Sequence, residues 1–164
     1  MAILEVRKPN DPILRKKSKE VLEIDGQILR IIDDLKETLK RNNGVGVAAP
    51  QVGISKRVIV IDLTFAKQGV FELVNPRIIK KSRIKESDEE GCLNFPGVFL
   101  TIKRAKEVLV KAKDRSGKEV EIRASDIFAR VLQHEIDHLD GILFFDRLPL
   151  LKKLKFKISL NKKQ

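Results

Sequence analysis

The sequence predicts an α+β domain in which mostly antiparallel β-sheets pack around a central, histidine-bearing helix, with an N-terminal and a C-terminal helix beside it. Three observations carry this reading: an amphipathic helical period after Asp25, a run of short β-branched segments in the middle of the chain, and a second helical stripe opening at Ser125. The strands come in groups, without the regular alternation with helices that builds a parallel sheet.

From Asp25, "DGQILRIIDDLKETLKRNNG" sets Ile28, Ile31, Ile32, Leu35 and Leu39 at helical spacing, with Asp25 as N-cap and Asn43 and Gly44 as the stop. This predicts a helix over about 26–42. The period then changes, and "RVIVIDL" (57–63), "VFELVNP" (70–76) and "RIIKKSRI" (77–84) read as strands. A second group, "VFLTIK" and "KEVLVKAKD", leads through Arg115, Ser116 and Gly117 into "KEVEIRA", a hairpin with alternating charge on one face. Ser125 can cap the next helix, with Asp126 favourable in its first turn and Gly141 as its end. Along one stripe of that helix fall Ile127, Val131, His134 and His138. The last residues, "LLKKLKFKISLNKKQ", carry six lysines and no acid, and predict a basic helix or tail at about 148–164.

The 164 residues fit a single domain, 1–164, with no internal repeat or linker. Charge recurs every few positions of the N-terminal segment, and no stretch reaches the roughly 20 apolar residues of a membrane span, so the expectation is a soluble, cytoplasmic protein with no membrane partner. The net charge of +11 would attract polyanions such as RNA. A basic RNA- or ribosome-binding protein is one reading of that charge, but the chain has no Tyr or Trp to stack on bases, and no sequence-specific nucleic-acid binding is expected.

The chemistry concentrates in "VLQHEIDHLDG", Val131 to Gly141. Residues four apart on a helix stand about 5 to 6 Å from each other, so His134 and His138 can offer two imidazoles to one metal ion. Glu135 is rotated by about 100° and reaches a bound water rather than the ion, the logic of a His-Glu-x-x-His helix. A catalytic site wants a third protein ligand and one open position. The single cysteine, Cys92 in "EEGCLNFPG", is the natural candidate, with Gly91 letting the backbone pass closely. A zinc endopeptidase is the rival; it would need a third histidine, which the chain lacks, or an acidic ligand after His138, where only Asp140 and Asp146 are available.

Such an ion makes the reaction class hydrolysis of a carbonyl compound, with Glu135 carrying the proton. The attacked oxygen needs a donor, and "GVGVAAPQVG", Gly44 to Gly53, offers the amide of Gln51. Gly44, Gly46 and Ala49 loosely fit a dinucleotide fingerprint, but a helix rather than a strand precedes them and Pro50 interrupts the helix that the fingerprint needs after it. The glycines fit a backbone edge lying against an extended peptide.

Together "GVGVAAPQ", "EGCLN" and "QHEIDHLDG" stand in the order and spacing of the peptide deformylases, a family the sequence resembles across almost its whole length. The resemblance implies a metallohydrolase acting on N-formyl-methionyl nascent polypeptides and releasing formate. It implies that Cys92, His134 and His138 bind one divalent ion, commonly ferrous iron (Fe2+), with zinc, nickel or cobalt able to replace it; ligand type alone would suggest zinc. It further implies that Glu135 is general base and acid, and that the Gln51 amide and the Leu93 backbone N–H hold the oxyanion. Gly46 and Gly91 would pair with the substrate backbone. Val45, Ile127 and Val131 would wall the methionine pocket, with Arg130 at its rim. Glu90, held by Arg104, would orient the cysteine loop. Two departures stand out: Asn94 where the family motif usually ends in serine, and Phe99 where several relatives carry an arginine. The basic C-terminal segment is expected to favour the ribosome.

Overall fold

The computed structural model describes residues 2–161. In chain order its main elements are α1 (Gly26–Arg41), β1 (Gly46–Ala48), β2 (Val58–Asp62), β3 (Val70–Lys81), β4 (Lys85–Gly91), β5 (Phe99–Ala105), β6 (Glu107–Lys113), β7 (Glu119–Ser125), α2 (Asp126–Leu139) and α3 (Leu150–Asn161). A five-stranded sheet runs β1-β2-β3-β6-β7 and a two-stranded sheet pairs β4 with β5, every pairing being antiparallel.

β2 explains why helices cover both faces of the sheet. Successive side chains of a strand point to opposite faces. Val58 and Val60 join Ile32, Leu35 and Leu39 of α1, whereas Ile59 and Ile61 join Leu132, Ile136 and Leu139 of α2. A strand apolar at four successive positions, Val58 to Ile61, must therefore lie between two helices, and α2 becomes the central one.

α1 starts where Asp25 accepts hydrogen bonds from the backbone of Gln27 and Ile28, both at 2.9 Å, and it stops before Asn43, whose φ of 50° leaves the helical region. The stretch expected as two strands, 70–76 and 77–84, is the single strand β3, irregular after Val74. The irregularity has a cause in Asn75: at φ 52° its side chain exchanges two hydrogen bonds with the backbone of Val21, at 2.9 and 2.8 Å. β5 does not join the expected hairpin group; that hairpin is β6–β7 alone, and β5 pairs with β4, whose residues carry no strand signal.

Ser125 stands before α2 but makes no capping bond. The turn is held instead by Asp126, at φ 53°, whose N–H donates to the Lys106 carbonyl at 2.9 Å. At the far end Gly141 takes φ 72°, and a Cβ there would meet the Arg15 carbonyl oxygen at 2.5 Å, so only glycine fits. α3 rests on the body through Phe156 and Leu160, leaving Leu150, Leu151, Leu154 and Ile158 exposed. Of the segment expected as a basic helix or tail, residues 162–164 lie outside the described residues. Among the described residues no helix is long and apolar enough to cross a membrane.

Candidate metal centre

α2 is buried along almost its whole length, and this turns a His-Glu-x-x-His pattern into a site. The Nε2 atoms of His134 and His138 lie 3.2 Å apart, and Cys92 Sγ, from the loop after β4, is 3.3 Å from His138 Nε2. The three ligand atoms all fall within 4.8 Å of one another. A thiolate and two imidazoles suit a transition ion and would not select calcium or magnesium. The geometry fits one: His134 already uses Nδ1 on Glu90 at 2.9 Å, which leaves its Nε2 for an ion. Burial and the neighbouring His134 charge push the His138 imidazole well below its usual value, so it stays neutral as a ligand must. Burial also opposes charge on His134, yet hydrogen bonds to Cys92 and Glu90 outweigh it and raise the ring to about 10, so an ion must displace a proton there.

Glu135 sits on the same helix, 3% exposed, with Oε2 lacking any hydrogen-bond partner. Burial, against the opposing pull of His134, pushes its carboxyl up to about 7. Its other oxygen lies beside the edge strand β1, where a Cβ on Gly46 would come within 2.5 Å of Glu135 Oε1. Only a glycine lets the strand and the carboxylate approach this closely.

Gln51 reaches the centre from a short 3-10 turn after β1, its Nε2 lying 3.6 Å from Cys92 Sγ. Both of its side-chain ends are tied: Oε1 accepts from the Ala48 N–H at 2.7 Å, and Nε2 donates to Asn94 Oδ1 at 2.9 Å.

A cleft of about 510 Å3 opens over these groups. Gln51, Cys92, Leu93, His134 and Glu135 line it, as do the glycine edges Gly46 and Gly91, the apolar Val45, Ile127 and Val131, and Glu90 and Arg130. Of the residues given roles in the site from sequence, His138 and Arg104 are absent from its wall, and both are buried. Arg130, expected at the rim of the methionine pocket, is among the lining residues. Its guanidinium turns inward, donating to Glu90 Oε1 at 2.7 Å and to the carbonyls of Ile102 and Glu86 at 2.9 Å.

Glu90 is the hub beneath the ligands. Arg104 grips it with Nε and one terminal nitrogen at 2.9 and 3.0 Å, and Arg130 and His134 share it. Burial works against its charge, but the hydrogen bonds from His134 and Arg104 hold its carboxyl well below the usual carboxylate range. Sequence reasoning missed Asp137, which takes a hydrogen bond from Arg104 and two from Arg147. Its signal was present in "HEIDHLD": a buried acid one turn past His134 needs a cation. The acidic ligands an endopeptidase would need are engaged elsewhere, Asp140 with Arg57 and Asp146 with Arg15 and Lys153.

The family model described as polypeptide deformylase matches residues 3–154. A peptide deformylase of Thermodesulfovibrio yellowstonii is 46% identical, the alignment covering 100% of each chain. One from Halothermothrix orenii is 52% identical over 90% of this chain and 95% of its own. Among solved structures, a peptide deformylase from Legionella pneumophila superposes with a TM-score of 0.89 at 42% identity, covering 98% of this chain and 95% of the other. That from Ehrlichia chaffeensis, in complex with actinonin, gives a TM-score of 0.91 at 36% identity, covering 100% of this chain and 99% of the other.

Proposed function

This chain belongs to the polypeptide deformylase family, and from that premise we propose that it removes the formyl group from the N-terminal formyl-methionine of nascent polypeptides, releasing formate. Cys92, His134 and His138 would hold one divalent ion, ferrous iron in the cell and zinc, nickel or cobalt as substitutes; when bound, it supplies Lewis acidity able to draw the pKa of a water from about 15.7 toward about 7. Glu135 takes the proton of the attacking water, and as the formyl carbon–nitrogen bond breaks it hands that proton to the departing amine. The Gln51 amide and the Leu93 backbone N–H donate to the formyl oxygen while it carries negative charge.

The peptide would lie extended between two glycine edges, Gly46 on β1 and Gly91 on β4, each at the margin of its sheet. Val45, Ile127 and Val131 give the methionine side chain an apolar wall, with Arg130 beside them. Glu90 and Arg104 would fix the His134 ring. The enzyme would work in the cytoplasm, and the lysine-rich α3 would favour the anionic ribosome where substrate emerges. Deleting residues 150–164 should then reduce ribosome co-sedimentation at low salt; unchanged co-sedimentation excludes this role for the segment.

The observation that carries the reading is Glu135, a buried carboxylate with an oxygen left without a partner beside three converging ligand atoms. The test is anaerobic incubation of the metal-loaded protein with a formyl-methionyl peptide, with formate measured for the wild type and for Glu135→Ala. Formate from the wild type and next to none from the variant is expected; no formate from the loaded wild type overturns the reading.

A further inference from the structure

We propose that Asn94 is the positioning residue for Gln51, fixing which end of its side-chain amide faces the reacting carbonyl; this rests on the deformylase reading above. The two ends of an amide have nearly the same shape and opposite hydrogen-bonding character. Gln51 is 1% exposed, so bulk water cannot correct its orientation. A flipped amide would turn a lone pair toward the Cys92 sulfur and toward an oxygen gaining negative charge, replacing attraction with repulsion. Against this flip stand the Ala48 N–H on Oε1 at 2.7 Å and Asn94 Oδ1 on Nε2 at 2.9 Å. Nε2 carries two hydrogens, and with one given to Asn94 the other is left on the Cys92 side, where Sγ lies at 3.6 Å.

Asn94 can do this only because it is itself prevented from flipping. Its Nδ2 donates to the Arg7 carbonyl at 2.8 Å and to the Gln51 carbonyl at 3.2 Å. Reversal would set its oxygen against two carbonyl oxygens, and it is 1% exposed. The orientation of Gln51 is thus inherited from backbone carbonyls, one of them in the N-terminal segment, whose Arg7 N–H donates in turn to the Gln51 carbonyl at 2.8 Å. A serine at this position has one hydrogen to give. It can accept from Gln51 and donate to one carbonyl, but it cannot hold both.

The test measures kcat and KM for Asn94→Ala, Asn94→Ser and Gln51→Ala, and for Asn94→Ala combined with Gln51→Ala, together with the Gln51 side-chain amide resonances of the zinc-loaded protein. Losing an oxyanion donor outright costs about 10² to 10³ in rate, so letting a retained donor flip should lower kcat by about 10- to 100-fold, with KM changed less. Asn94→Ser should recover part of that loss. In the Gln51→Ala background Asn94→Ala should cost nothing further in kcat, and in the single variant the Gln51 amide resonances should move toward those of a free amide. An unchanged kcat in Asn94→Ala, losses that multiply in the double variant, or unmoved resonances overturn the proposal. Absence of formate from wild type strikes the functional reading instead, and the amide resonances still decide the positioning.

Discussion

Glu90 Oε2 accepts a hydrogen bond from Nδ1 of His134 at 2.9 Å, so this carboxylate holds the ring of a candidate metal ligand directly. Glu90→Gln keeps the shape and loses the charge. Partners of this kind typically change metal affinity by about 10- to 100-fold, and a loss in that range is expected when the variant is titrated against a competing chelator. Wild-type affinity would rule out an orienting role.

Removing Arg104 takes a partner from two buried carboxylates, Glu90 and Asp137. Breaking one side of a buried pair costs about 3 to 5 kcal/mol. Arg130 and Arg147 remain as partners, so Arg104→Ala should fall near the lower end, as read by urea unfolding. A loss below about 1 kcal/mol would show that those two arginines suffice.

Phe99 is 63% exposed at the mouth of the cleft, its ring lying over Gly91 so that a Cβ there would touch it at 2.9 Å. An apolar shelf should favour apolar residues after methionine. With about 1 kcal/mol of apolar burial at stake, Phe99→Ala should lower kcat/KM about fivefold for formyl-Met-Leu or formyl-Met-Phe peptides and leave formyl-Met-Ala nearly unchanged. Equal losses on all three would remove Phe99 from specificity.

Asp146 ties α3 to the body: it binds Lys153 at 2.7 Å, takes the Leu143 N–H at 2.9 Å and pairs with Arg15. Burial opposes its charge, but these partners hold its carboxyl below 3.8. A carboxyl lowered on folding adds stability that is fully present above its unfolded pKa and is lost as pH falls through the folded value. Its partners are partly exposed, which limits the effect, so Asp146→Asn should cost about 1 kcal/mol at pH 7, and the gap should be smaller at about pH 3. Urea unfolding at both pH values tests this; a gap undiminished in acid contradicts it.

The helices were legible in the sequence because their apolar residues keep one period and Asp25 and Gly141 mark ends. β4 was not: "KESDEEG" has no apolar side chain, and its only buried residue is Glu90, whose partners lie on β5 and α2. β3 read as two strands because Asn75 and Pro76 look like a turn, whereas Asn75 bonds to Val21 from far along the chain. The three ligands were readable from spacing and residue type, since few other side chains could serve. The partners of Asp137 and Asn94 were not, because these hydrogen bonds join segments that only the folded chain brings together.

The two sheets share no strand-to-strand hydrogen bonds; Cys92 hangs from one, while His134 and His138 ride on the helix packed against the other. An ion at their meeting point is therefore a rivet between two plates, and losing it should be felt first as looseness. Stripping the metal should speed amide exchange in residues 85–105, while β2, clamped between α1 and α2, stays protected.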